Sequence, residues 1–226
     1  MTETHGEPII SVHGEHTARR PPERATVYST ISLEGPERGP VFEQTTRAAE
    51  TLRASIVGLH DAEAGPVRAW SSESVQVSSH RPWNQNGEQL ALVYTAAVGF
   101  TIEFDEFDEL ARWIERAASL TGATIAGIHW SLTPETERAV TEEVRTLAVA
   151  DAVARASTYA RAIGLENVRV IALSDPGMLD HDSIVVGGMQ PRMMKAGMAD
   201  SAAGGLELTP SPIEVTAAVD AKFVAS

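Results

Sequence analysis

The segment from Thr133 to Gly164 has the pattern of a long helix, but it carries alanine where a buried helix face normally carries leucine. Thr133 is a suitable N-cap, Pro134 suits the first helical position, and Gly164 follows the last helical residue. At 1.5 Å per residue, the predicted helix is roughly 45 Å long. One side of it is lined by alanines at every fourth position: Ala148, Ala152, Ala156 and Ala160.

A row of alanines on one side of a helix lets another backbone approach closely, because no long side chain intervenes. That backbone belongs either to a sheet of the same chain or to a second subunit. We favour the sheet, because a helix within a domain normally turns its apolar side to its own core. The alternative makes the four alanines candidate interaction residues. On the opposite side of the helix, Asp151 and Arg155 are spaced for an ion pair.

Strand patterns and two further helix patterns accompany the long helix. Apolar residues predict strands at 9–12, 24–35, 66–83, 90–104, 123–132, 167–174 and 211–225. A helix over 39–58 has the predicted apolar face Phe42, Thr45, Ala49, Leu52 and Ile56. A helix over 106–120, capped by Asp105, has the predicted face Phe107, Leu110, Ile114 and Ala118. Because the strands come in pairs, we expect an α+β fold with mostly antiparallel sheets and three main helices, one of them long.

Composition excludes several classes of function. The formal net charge is −13, with 31 acidic and 18 basic residues, so the surface repels nucleic acid and anionic lipid. Without cysteine the chain has no disulfide and no thiolate nucleophile. The longest uncharged apolar stretch, 90–102, is too short to span a membrane as a helix. We find no export signal and therefore expect a soluble, cytoplasmic protein.

The residues that could perform chemistry form no motif. His13 and His16 are three apart, close to the end of a predicted strand, and positions three apart in a strand point to opposite faces, which argues against a shared metal. On another strand we expect Trp130 to face the core and His129 to face outward. A loop holds Asp180, His181 and Asp182, which we interpret as a solvated turn. No nucleophile elbow, phosphate loop or dinucleotide fingerprint occurs. The sequence therefore predicts no catalytic residue, cofactor or metal.

A Gly/Met-rich loop over 175–210 is the most unusual segment in composition. Apart from Met1 it contains every methionine of the chain: Met178, Met189, Met193, Met194 and Met198. Methionine suits adaptable contact surfaces and oxidises reversibly. We predict that this loop takes part in subunit contact. The alternatives are a loosely packed loop and a thioether site for a metal or an oxidant.

Four segments, in this order, resemble the SIMPL-domain family. They are ISVHGEHTARRPPERATVYSTI, YTAAVGFTIEFDEFDELARWIERAASLTGATIAGIHWSL, AVADAVARASTYARAIGLENVRVI and QPRMMKAGMADSAAGGLELTPSPIEVTAAVDAKF. The resemblance implies a single SIMPL-like domain over 8–226, with two lobes at 8–104 and 105–226. It also implies self-association, since some relatives form ring-like or channel-like oligomers. Bacterial relatives are described as periplasmic or surface immunogenic proteins, some linked to oxidative stress.

The family has no agreed catalytic activity and no catalytic motif to transfer. The expected function is therefore that of a non-enzymatic, homo-oligomeric assembly or interaction protein, with a link to stress response implied by the resemblance. The alternatives are a hydrolase with an acidic/His pocket between the lobes, and binding of a metal or an oxidant by the methionine loop.

Overall fold

The structure is a computed structural model that describes residues 7–85, 89–179 and 208–226. Its elements in chain order are β1(Ile9–Arg20), β2(Arg24–Gly35), α1(Arg38–Val57), β3(Val67–Ser72), β4(Gln76–His80), β5(Val93–Phe104), α2(Phe107–Ala118), β6(Ala123–Ser131), α3(Pro134–Ala162), β7(Val168–Ser174) and β8(Ile213–Ala225). Every strand pairing is antiparallel apart from one isolated bridge. The predicted α+β class with three main helices, one of them long, is confirmed.

The chain divides into two compact units that interleave along the sequence. The described parts of the first unit are 7–20, 133–179 and 212–226, and those of the second are 21–85, 89–132 and 208–211. The division does not fall at one point between residues 104 and 105. The physical reason is that β1, near the start of the chain, pairs along its whole length with β8, near the end.

The first unit is a three-stranded sheet, in the order β1-β8-β7, with α3 packed on one face. Strand β1 extends to Arg20, well beyond the short strand expected at 9–12, because polar cross-strand pairs continue its alternation. On the face opposite α3, Thr17 hydrogen-bonds Thr216 at 2.8 Å, and Arg19 forms an ion pair with Glu214 at 2.7 Å. Because these residues are polar, the sequence pattern did not indicate that this half of β1 pairs with β8.

Helix α3 begins and ends as its sequence predicts. The Thr133 side chain accepts a hydrogen bond from the backbone N–H of Thr136, and Pro134 occupies the first helical position. Gly164 follows the C-cap with a φ of +82°, a conformation that glycine adopts without strain. The ion pair between Asp151 and Arg155 forms at 2.8 Å, as expected from their spacing.

The second unit is a sheet in the order β3-β5-β2-β6, with β4 also paired to β5. Helices α1 and α2 cover one face, where alternate residues of β2 and β5 are buried. Trp113 is fully buried there, 5.6 Å from Phe104 between ring centroids, and donates from its indole N–H to the Ser55 hydroxyl at 3.1 Å. As predicted, Trp130 packs against this core and His129 is exposed.

The predicted faces of the two shorter helices are partly wrong. In α1, four residues of the predicted face are buried as expected, but the fifth, Phe42, is exposed and Val41 is buried in its place. In α2, Leu110 is buried as predicted, and Phe107 and Ile114 pack partly buried against the core. Trp113 and Ala117 are also buried, whereas Ala118 is exposed. Both helices carry apolar residues at adjacent positions, and in α2 a small rotation about the helix axis fits the 3.6-residue period equally well. Docking on the sheet selects between the two rotations.

Two further predictions in the second unit need correction. The strand expected over 66–83 is two strands, β3 and β4, which pair with different halves of β5. Asp105 does not cap α2, since the N-cap is Glu106 and makes no side-chain cap. The Asp105 carboxylate instead accepts a hydrogen bond from Arg68 and lies 3.8 Å from Arg24. No helix in the described part of the chain is long and apolar enough to cross a membrane.

Candidate assembly surface

The alanine row of α3 lies directly on β1 and β8 of its own chain. Ala148, Ala152 and Ala156 are fully buried in a cluster with Val12 and Phe223. Ala160, one turn further on, is also fully buried. Side chains with no exposed surface offer nothing for a second subunit to touch. Any contact between copies must therefore use other surfaces of the chain.

Gly14 is the residue of β1 that makes this close packing possible. A Cβ atom built on Gly14 would lie 2.3 Å from the Ala148 carbonyl oxygen and 2.7 Å from the Ala152 backbone nitrogen. These distances are far below van der Waals contact. The backbones of helix and strand therefore touch at this point, and a glycine opposite two alanines is what the contact requires.

Asp151 joins α3 to the free edge of β1. Its carboxylate accepts a hydrogen bond from the backbone N–H of Glu15 at 3.1 Å and pairs with Arg155. These two contacts, the backbone one first, hold the pKa of Asp151 below its ordinary value. Nearer the start of the helix, Glu143 pairs with Arg20 of β1 at 2.6 Å. Residues of α3 in the same row as Glu143 and Asp151 therefore face the β1 edge of the unit.

The β7 edge of the unit is covered much less. Helix α3 makes most of its sheet contacts with β1 and β8 and few with β7. Val170 and Leu173 pair with Phe223 and Ala221 of β8 and thus share the face on which the helix lies. Their exposed fractions are nonetheless 52% and 50%. Neighbouring Ile171, at a bulge of the strand, is also exposed.

The helix adds an apolar side chain on the same side. Val149 packs against the buried alanine cluster from the side of the helix opposite Asp151, which contacts β1, so its row of α3 faces the β7 edge. Val153, one turn further along this row, is exposed. We call the exposed set the β7-side strip, and it consists of Val153, Val170, Ile171 and Leu173.

Three arginines accompany the β7-side strip. Arg145 and Arg161 belong to the row of Val153 on α3. Arg169 is on β7, where it pairs with Val224 and lies on the face of the sheet away from α3. All three are exposed, and no ion pair among the described residues involves them. In a chain with a net charge of −13, this edge is locally basic. It combines aliphatic side chains with positive charge.

A polar cluster that includes His13 and Asp220 lies on the face of the sheet opposite α3. His13 Nδ1 lies 2.7 Å from an Asp220 oxygen, and the other Asp220 oxygen accepts the backbone N–H of Gly177 at 2.7 Å. His13, followed by Gly177, lowers the pKa of Asp220. Met178 comes next in the chain and is 65% exposed. The other candidate contact residues, Met189, Met193, Met194 and Met198, lie outside the described residues, as do Asp180, His181 and Asp182.

We expect Asp220→Asn to lower the free energy of unfolding by about 1 kcal/mol at pH 7. The folded pKa is lowered, so the carboxylate stabilises the fold above its unfolded pKa of 3.8 and loses this effect as pH falls through the folded value. The difference between parent and variant should therefore shrink below about pH 4. Urea unfolding at pH 7 and at pH 3.5 measures it. Asp175→Asn is the control, and an equal pH dependence in both variants would contradict this assignment.

The β7-side strip was not found from the sequence, although its strand was. The run from Val170 to Leu173 is continuously apolar, a pattern that indicates burial on both faces. The structure covers neither face of β7 completely, and this mismatch is the signal that could have identified the strip. Among the described residues, no cluster of His, Asp or Glu side chains is arranged to hold a metal ion.

The family comparison covers almost the whole chain. The model of SIMPL, described as a protein of unknown function (DUF541), matches residues 10–223. The chain belongs to the SIMPL family. The match includes both units, the alanine row of α3 and the β7-side strip. No curated protein matches the chain.

Proposed function

We propose that this SIMPL protein is a non-enzymatic subunit of a homo-oligomer and acts through assembly or protein interaction. The observation that supports the proposal is the β7-side strip. Exposed apolar patches at the edge of a sheet are characteristic of protein contact sites. Full burial of an aliphatic side chain contributes about 1.5–3 kcal/mol, so each half-exposed residue of the strip retains about 1 kcal/mol for association.

A second copy is the occupant that best fits the strip. The three arginines of this edge favour an acidic partner, and the chain itself carries a net charge of −13. The resemblance to self-associating relatives supports the same choice, as well as closure into a ring. The sequence predicts a cytoplasmic location, which cell fractionation tests, and the resemblance to relatives implies a link to stress response.

We expect the purified protein to be larger than a dimer at micromolar concentration. Light scattering coupled to size-exclusion chromatography, at several salt and protein concentrations, measures the mass. Val170→Glu should reduce that mass, because a carboxylate in the contact would lose its hydration. Val57→Glu is the matched control, since Val57 has the same exposed fraction of 52% but lies in the second unit.

Two results would contradict the proposal. A parent protein that is monomeric under all conditions would remove it. If the parent is an oligomer whose mass Val170→Glu does not change, the chain assembles, but not through the β7-side strip. Circular dichroism and thermal melts of both variants establish that a reduced mass does not come from unfolding.

A further inference from the structure

The two edges of the first unit differ in chemistry, and we infer that they bind each other in successive copies of the chain. The β7 side of one copy would contact the β1 side of the next. This inference rests on the proposed function, because it names the surface that the β7-side strip meets. It makes the contact head-to-tail, with two different surfaces in each interface.

The β1 side carries its own exposed apolar residues. They lie in the row of α3 that contains Asp151, at four-residue spacing, and are Leu147, Tyr159 and Ile163. Tyr159 is 55% exposed, which leaves a large ring surface in water. We call these three residues the β1-side row. Each edge of the unit therefore presents aliphatic or aromatic surface that the described part of the chain does not cover.

Charge distinguishes the two edges and argues against binding of like to like. The β7 side carries Arg145, Arg161 and Arg169, none of them in an ion pair of the described residues. Two β7 sides placed face to face would bring together the four arginines of the two helices, Arg145 and Arg161 from each copy, and like charges in an interface are unfavourable. The β1 side instead presents carboxylates, those of Glu143 and Asp151, each already beside an arginine. Because Arg20 and Arg155 are balanced there by these carboxylates, the β1 side receives the basic edge with less repulsion than a second β7 side would.

The arrangement of these surfaces also suits head-to-tail contact. Strand β8 occupies the centre of the sheet, so β1 and β7 are its two edges. The β7-side strip and the β1-side row lie on opposite sides of the same buried alanine row. A contact between unlike edges leaves one edge free in every added copy. It therefore continues to a closed ring or an open filament, whereas a contact between like edges stops at a dimer.

Two variants, each with one edge altered, test the inference when they are mixed. Val170→Glu alters the β7 side and Tyr159→Glu alters the β1 side. Each variant alone should have the mass of one chain, 24.2 kDa, because every head-to-tail contact then contains a glutamate. An equimolar mixture should give a species of twice that mass, because one unaltered β1 side meets one unaltered β7 side. Native mass spectrometry with one variant tagged identifies that species as a mixed pair.

The controls distinguish a loss of association from a loss of folding. Thr158→Glu introduces the same residue beside Tyr159 on an exposed part of α3, and it should keep the mass of the parent. Circular dichroism of all variants checks that α3 is intact.

A mixture that remains monomeric overturns the inference, and so does a Tyr159→Glu variant with the mass of the parent. In both cases the proposed function stands if the parent is an oligomer. A monomeric parent, including one whose β7-side strip contacts residues 180–207 of the same chain, overturns both.

Discussion

Ala152→Glu is expected to lower the free energy of unfolding of the first unit by several kcal/mol, in the range that prevents folding of a marginal domain. Ala152 is fully buried between α3 and the sheet, and its Cβ lies 2.8 Å from the position that a Cβ on Gly14 would take. A glutamate there must either leave a carboxylate buried without a partner or push the helix away from the strand. Both outcomes remove the packing that holds the unit together.

The same substitution two positions along the helix is the matched control. Ala154 is exposed on α3, so Ala154→Glu should change the free energy of unfolding by no more than about 0.5 kcal/mol. Asp151→Ala should have a much smaller effect than Ala152→Glu, because it removes the acceptor for the Glu15 N–H at a solvent-exposed position. Urea unfolding followed by circular dichroism gives the three values. A larger effect of Asp151→Ala than of Ala152→Glu would contradict the orientation of the helix.

Local patterns predicted the elements whose signals lie within a few residues of one another. The N-cap at Thr133, the end of α3 before Gly164 and the pair of Asp151 with Arg155 all have the predicted form. Each depends on residues one to four positions apart. Such features are set by backbone geometry and short-range hydrogen bonds, so the sequence expresses them directly.

Features that depend on distant partners could not be predicted in this way. The rotation of α2, which buries Trp113, is decided by Phe104 and by Ser55 of α1. The full length of β1 is decided by β8, about two hundred residues away in sequence. The β7-side strip arises because α3 lies over β1 and β8 and leaves β7 partly uncovered. The spacing of residues within each element does not indicate any of these distant partners.

Gly14 is the clearest example of a residue whose role depends on a distant partner. In the sequence it reads as the end of a short strand, since glycine in a strand interior weakens it. In the structure it lies in the middle of β1, has no positive φ, and is needed only because α3 approaches so closely. The alanine row indicated that some backbone would come near, but not which residue would receive it.

We therefore expect Gly14→Ala, the smallest change available at this position, to destabilise the first unit by about 3 kcal/mol or more. The new methyl group would lie 2.3 Å from the Ala148 carbonyl oxygen and 2.7 Å from the Ala152 nitrogen, so backbone atoms rather than flexible side chains must move. Gly127→Ala in β6 is the control, because a Cβ there meets nothing within 4 Å. That variant should be neutral or slightly more stable, by up to about 1 kcal/mol.

Combining Gly14→Ala with Ala152→Gly separates the two kinds of contact, since it removes the Ala152 methyl group and leaves the backbone atoms in place. Little recovery in urea unfolding is the expected result, whereas full recovery would show that side-chain crowding, and not the approach of the backbones, requires glycine at this position.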